Sequence, residues 1–120
     1  MARYVDGFVI AVPKKKVDAY RKMARLGAKV WKEHGALEYY ECVGEDLEAQ
    51  YGMPFPKLAR LKKGETVVFS WIIYRSKKHR NSVNAKVMKD PRMNNPDFQK
   101  DMPFEMKRMA FGGFETLVYW

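Results

Sequence analysis

A chain of 120 residues, 47% of them hydrophobic and 14% aromatic, can close one apolar core and is too apolar to be disordered, so we expect one domain over residues 1–120. A single cysteine, Cys42, excludes an intrachain disulfide and is typical of a reducing compartment. The formal net charge of +9, concentrated in 14–32 and 75–89, leaves two alternatives: helix faces that keep the protein soluble, or a surface that attracts polyanions.

The N-terminal residues predict a strand and not a targeting segment. Residues 4–12 are rich in β-branched and aromatic side chains and stop at Pro13. Asp6 interrupts the apolar run early, and no stretch approaches the roughly 20 apolar residues that span a bilayer. We therefore expect a cytoplasmic protein that does not contact a membrane.

A helix is predicted from Val17 to His34, because the apolar spacing changes to intervals of three and four residues. This stripe consists of Val17, Tyr20, Ala24, Ala28 and Trp31. Gly35 supplies the left-handed residue that commonly ends a helix. Residues 37–43 then predict a second strand.

Residues 66–74 form the strongest predicted strand, apolar on both faces as in a central strand. Ser76 is placed as the N-cap of a helix over 77–89, which Asp90 and Pro91 end. The last strand is predicted over 109–119, where two glycines at 112 and 113 indicate a bulge or a close backbone approach. The order βαββαβ predicts an α+β, ferredoxin-like fold with a four-stranded antiparallel sheet and both helices on one face.

Two connectors, 44–65 and 91–108, are longer than this fold needs, and each contains Met, Pro and Phe in succession. Long ordered loops with apolar anchors are typical of lids or dimer arms. Chance repetition in a chain rich in Met and Phe is the alternative.

The uncovered face of the sheet predicts a homodimer. Alternation along the third strand places Phe69, Trp71 and Ile73 on one side, and the helices cover the other. At about 25 cal/mol per Å², leaving three large apolar side chains in water would forgo several kcal/mol. A second copy is the natural cover, with the two sheets facing each other.

Five strings, taken in order, resemble the YbaA-like bacterial family of unknown function along essentially the whole chain. They are YVDGFV at 4–9, WKEHGALEY at 31–39, VVFSWI at 67–72, DPR at 90–92 and MPF at 102–104. That resemblance implies the dimeric α/β-barrel superfamily, whose members include cofactor-free monooxygenases, haem-degrading enzymes, dye-decolourising peroxidases and small-molecule isomerases. It implies a fold and not an activity.

Three polar residues are candidates for catalysis. Asp6 stands in an apolar strand, where a carboxylate needs a partner or a shifted pKa. It is either an acid or base, or an aspartate that is exposed at the start of the strand or paired with an arginine such as Arg75 or Arg108. His79 shares a helical face with Val83 and is either a base or haem ligand, or a structural histidine with one hydrogen bond. Asn84 follows on that face and either orients a carbonyl or dioxygen, or bridges backbone groups.

Aromatic and basic residues are candidates for substrate binding. Trp71, with Tyr39 or Tyr40 from the neighbouring strand, is expected to line a pocket for a flat molecule, with core packing as the alternative. Arg75 and Arg108 are the basic candidates. Two separated histidines make no metal site, and the chain has no phosphate-binding loop, nucleophile elbow or dinucleotide fingerprint, so no metal or cofactor is predicted.

The resulting hypothesis is a protein that binds or transforms a small molecule between sheet and helices, in the manner of a cofactor-free monooxygenase. The first alternative is a basic nucleic-acid-binding domain. It is disfavoured because the third strand lacks the glycine and spaced aromatics of RNA-recognition domains, and a dimer would hide the sheet face that they use. The second alternative is a structural or regulatory dimer without catalysis.

Overall fold

The computed structural model, which describes residues 3–96, 100 and 102–120, confirms the predicted α+β order and adds one short helix. The strands are β1 (Tyr4–Pro13), β2 (Glu38–Val43), β3 (Glu65–Tyr74) and β4 (Ala110–Glu115). The α-helices are α1 (Val17–Glu33), α2 (Phe55–Leu58) and α3 (Lys77–Lys89), with 3-10 turns at Lys14–Lys16 and Met106–Arg108. No helix in the described part of the chain is both long and apolar enough to cross a bilayer.

The four strands form one antiparallel sheet in the order β2-β3-β1-β4. The helices α1 and α3 pack on one side, which we call the helix face, and the two cores lie there. One core joins Val30, Ile72 and Val83, and the other joins Ile10, Tyr20 and Val68. Neither α1 nor α3 therefore covers the opposite side of the sheet.

Local signals fix the helix ends where the sequence predicts them. Gly35 has a φ of 112°, a left-handed conformation in which a residue with a side chain would be strained. The Ser76 hydroxyl accepts the backbone N–H of His79 at 3.0 Å and caps α3. Asp90 leaves the helical conformation before Pro91, since the residue preceding a proline disfavours it.

The last strand is shorter than predicted and contains no bulge. Glu115 pairs with Tyr4, the first residue of β1, and the described pairing of β4 ends there. Thr116 instead donates its N–H and its hydroxyl to the Arg3 carbonyl, at 3.1 and 2.6 Å. The register passes through both glycines without an extra residue, and the close approach at Gly113 is the part of that prediction that holds.

The two long connectors pack on opposite sides of the sheet. The short helix α2, in 44–65, lies on the side away from α1 and α3, where the Phe55 ring is 6.0 Å from that of Phe69. The connector 91–108 lies on the helix face, where Phe104 packs edge-on against Tyr20 at 5.8 Å. Positions 97–99 and 101 of that connector lie outside the described residues.

An ion-pair cluster joins the end of α1 to the end of α3. Arg92 donates to Asp90 at 2.7 and 2.9 Å and to Glu33 at 2.9 Å. His34, the residue that follows α1, lies 2.9 Å from the Asp90 carboxylate. Hydrogen bonds from Arg92 and then from His34 hold the pKa of Asp90 well below its usual range.

A second ion pair should make the protein sensitive to acid. Arg108 donates to both carboxylate oxygens of Glu65, at 2.7 and 2.8 Å, and this hydrogen bonding lowers the pKa of Glu65 from 4.5 to about 2. Because the folded pKa lies below the unfolded value, the pair stabilises the fold fully above pH 4.5, and that stabilisation is lost as the pH falls towards 2.

Urea unfolding from about pH 6 down to about pH 2 measures this loss as a slope in the free energy of unfolding. Glu65→Gln cannot titrate, so part of the slope should disappear in that variant. An identical slope in the two proteins would show that the pair is not linked to folding.

Candidate functional site

The structure divides the predicted site residues between the two faces of the sheet. Asp6, Tyr39 and Asn84 lie on the helix face, as shown by their pairing or bonding with residues of that layer. Trp71 and Tyr40 lie on the opposite side, which we call the open face, and their rings stack at 4.8 Å. Trp71 therefore does not share a pocket with Asp6.

Asp6 is 1% exposed and has a basic partner that the sequence interpretation did not name. Its Oδ1 lies 3.2 Å from the Arg80 Nε. This is a charge contact and not an aligned hydrogen bond, since both atoms lack a hydrogen-bond partner in the described structure. Arg80 also donates to the Tyr4 hydroxyl at 3.1 Å. The expected partners, Arg75 and Arg108, do not reach Asp6: Arg75 is exposed and Arg108 binds Glu65.

Asn84 connects Asp6 to two aromatic side chains. Its Oδ1 accepts from the Trp31 indole N–H at 3.1 Å and from the Tyr74 hydroxyl at 3.3 Å, and its Nδ2 lies 3.5 Å from Asp6. Burial raises the pKa of the Tyr74 hydroxyl, and the Asp6 charge raises it further. The network fixes the Trp31 ring against the sheet.

His79 lies in the first turn of α3 and forms a hydrogen bond with the nearby backbone. Its Nδ1 accepts the Arg75 backbone N–H at 3.0 Å, and its ring packs edge-on against Tyr74 at 6.0 Å. Burial, and then the Arg75 charge, lowers the pKa of His79. Its position matches the structural alternative of the sequence interpretation.

A cleft between α1 and the sheet contains two adjoining cavities. The outer chamber, of about 360 Å³, lies between α1 and β2, and the inner chamber, of about 130 Å³, lies deeper under α1. Neither is lined by Asp6, His79 or Trp71. Both are lined by Tyr20, Ala24, Tyr39 and Glu41, which mark the boundary between them.

Glu41 is the polar centre of this cleft. Its two carboxylate oxygens accept the hydroxyls of Tyr20 at 2.7 Å and of Tyr39 at 2.8 Å. Burial raises the pKa of both tyrosine hydroxyls, and the Glu41 charge beside them raises it further. The tyrosines therefore stay protonated at neutral pH and keep donating to the carboxylate.

Gly27 makes room for this arrangement. A Cβ at that position would lie 2.9 Å from the Tyr39 hydroxyl, so only glycine lets the hydroxyl reach under α1. A glycine inside a helix costs about 0.5–1 kcal/mol relative to alanine. Two features of the sequence could have indicated this site: Gly27 inside the first predicted helix, and Glu41 on the helix-facing side of the second predicted strand. Neither was used to predict it.

The cleft has the chemistry of a binding site for a small, largely apolar molecule. Each Glu41 oxygen has a second lone pair, which can accept from a ligand or remove a proton from it. Among the described residues, no group of three or more histidine, cysteine, aspartate or glutamate side chains is placed to hold a metal ion.

Comparison with known proteins identifies relatives along the whole chain. Residues 3–106 match the family model described as protein of unknown function (DUF1428). The chain is 47% identical over 116 residues to uncharacterized protein YbaA of Escherichia coli strain K12 and to its counterpart in Shigella flexneri, and 97% of each chain is covered. A crystal structure of a dimeric ferredoxin-like protein from an uncultured marine organism matches with a TM-score of 0.56 at 15% identity, covering 100% of this chain and 98% of that one. The chain therefore belongs to the DUF1428 family, which confirms the YbaA-like resemblance of its sequence.

Proposed function

We propose that the protein binds a small, largely apolar molecule in the cleft between α1 and the sheet, with Glu41 as its polar anchor. The observation that carries this proposal is a carboxylate held by Tyr20 and Tyr39 at the junction of two cavities. Ligand sites are typically concave and apolar with a few placed polar groups, and this cleft has that composition.

In our proposal, the predicted residues Asp6 and Asn84 do not line this site but support one of its walls. Trp31 lines the inner chamber and donates to Asn84, which in turn lies beside Asp6. The three residues hold one wall of the chamber in a fixed orientation. Glu41 takes the role of base in any reaction on the bound molecule, as a cofactor-free monooxygenase would require.

We also propose that the protein is a homodimer through the open face. Apolar side chains on and beside this face are exposed: Phe69 by 44%, Tyr40 by 45% and Phe114 by 60%. The C-terminal residues Leu117–Trp120 are also apolar, and each is at least 80% exposed. Contiguous apolar surface of this kind marks an association site, and the solved neighbour of the same fold is described as dimeric.

Binding in the cleft can be tested through the tryptophan side chains. The chain has three tryptophans, one in each relevant place: Trp31 in the inner chamber, Trp71 on the open face and Trp120 at the C-terminus. Titration with phenol, followed by NMR of the indole N–H groups, should move the Trp31 resonance and leave the other two in place.

Two variants that each replace an alanine with phenylalanine, one in the cleft and one on the surface, serve as test and control. Ala24→Phe, at a position that lines both chambers, narrows the cleft beside Glu41 and should weaken phenol binding about tenfold or more, or about 1.4 kcal/mol. Ala85→Phe, on the exposed side of α3, should leave it unchanged. A Trp31 resonance that does not move, or movement only of Trp71 or Trp120, would contradict the proposed site.

A further inference from the structure

Glu41 differs from the other acidic side chains in the interior of the described structure. The other acids that are buried or half-buried each have an arginine partner: Asp6 with Arg80, Glu38 with Arg3, Glu65 with Arg108 and Asp90 with Arg92. The hydrogen bonds of Glu41 come from two neutral hydroxyls. Among the described residues no lysine, arginine or histidine forms an ion pair with Glu41, so this half-buried carboxylate can accept an additional positive charge.

The inner chamber has the surface that an organic cation prefers. Its aromatic walls are Phe8, Tyr20, Trp31, Tyr39 and Phe104. Aromatic ring faces attract cations, and desolvation strengthens that attraction. Four methionines, at 23, 93, 102 and 109, add soft and adaptable walls, and the described lining contains no lysine, arginine or histidine.

We infer that the ligand of the cleft is a small organic ammonium ion whose charged group binds Glu41 and whose apolar body lies in the inner chamber. This inference rests on the proposed binding function and names its ligand class. An ammonium N–H can donate to the lone pairs that the tyrosines leave free, and the ligand then supplies the missing countercharge.

Two basic residues face the other side of Glu41 and bear on this inference. Arg21 and Arg25 line the outer chamber. Arg21 is paired with Asp18 on the same helix, so its charge is already balanced. The direction of the expected selectivity follows from the chamber walls: a cation enters the aromatic inner chamber, and an anion is confined to the arginine side.

Three ligands with the same ring but different charge test the inference. These are 2-phenylethylamine, which is a cation at neutral pH as alkylamines are, 2-phenylethanol, which is neutral, and phenylacetate, which is an anion. Isothermal titration calorimetry should find the cation bound about tenfold or more tighter than the alcohol. Both can donate a hydrogen bond to Glu41, but only the ammonium adds a countercharge and a cation–π attraction to the aromatic walls, which is worth about 2 kcal/mol when desolvated. The anion should bind weakest.

A pair of glutamate substitutions identifies the group responsible. Glu41→Gln should remove the preference for the cation over the alcohol. Glu38→Gln, on the same strand but on the open face, should retain it. Should Glu41→Gln fail to fold, the order of the three ligands on the wild-type protein still decides the matter.

The outcomes separate this inference from the binding proposal itself. Equal affinities for amine and alcohol, or tighter binding of phenylacetate, would overturn the cation inference and leave cleft binding intact. If none of the three ligands binds and phenol leaves Trp31 unchanged, both are wrong.

Discussion

Replacing Arg80 with methionine should destabilise the protein by about 3–5 kcal/mol, because it leaves the Asp6 carboxylate buried without its countercharge. Asp6 is 1% exposed, and its remaining neighbours are neutral: Asn84 at 3.5 Å and the Tyr74 hydroxyl. Methionine keeps the first part of the apolar stem but removes the guanidinium, with its hydrogen bond to Tyr4 and its charge beside Asp6. Urea unfolding followed by circular dichroism measures the loss of stability.

Two further variants show whether the pair is responsible. Arg21→Met removes an arginine from the exposed pair with Asp18 and should cost at most about 1 kcal/mol, since surface ion pairs contribute little. Adding Asp6→Asn to Arg80→Met removes the stranded charge and should recover at least half of the lost stability. If the double variant is no more stable than Arg80→Met, the cost does not come from the unpaired carboxylate.

Replacing Trp71 with lysine should prevent the proposed homodimer from forming. Trp71 lies in the middle of the apolar open face, where it contacts Tyr40 and Phe69 at 4.8 and 5.4 Å between ring centroids. A central aromatic residue of an interface is typically worth about 2–4 kcal/mol, so the dissociation constant should rise about 30- to 1000-fold. Sedimentation equilibrium over a range of concentrations measures the change.

A charge reversal on the other side of the molecule is the control. Lys78→Glu lies on the exposed surface of α3, away from the open face, and should leave the dimer intact. The circular dichroism of Trp71→Lys should match that of the wild type, since the lysine lies on a face that is open to water in the monomer and outside the two cores. A wild-type protein that stays monomeric at about 10 μM, a concentration at which even a weak homodimer with a micromolar dissociation constant would form, would overturn the dimer proposal.

The predictions that the structure bears out depended on short-range signals. Gly35 and Ser76 fix the ends of two helices through their own backbone and side-chain chemistry, within a few residues of each position. Alternation along β3 likewise assigned Trp71 and Ile72 to opposite faces, because strand geometry has a fixed period of two. The family resemblance added the fold as a whole.

The geometry of the candidate site depended on contacts between elements that are far apart in the chain. Tyr20 and Glu41 are 21 residues apart, and their hydrogen bond exists only because α1 crosses β2 at one angle. Asp6 was recognised as a buried charge that needs a partner, but its pairing with Arg80 depends on how α3 lies on the sheet. The end of β4 is set by where β1 begins, which is also a property of the assembled sheet.

Gly113 shows how the buried charge limits sequence change at the surface. The residue is exposed on the edge strand β4, opposite Asp6, and a Cβ there would collide with the Tyr4 hydroxyl and the Arg80 guanidinium. Even alanine would push the arginine away from the carboxylate that it neutralises. Tolerance to mutation along β4 will therefore not follow solvent accessibility, and a wet position will behave like an interior one.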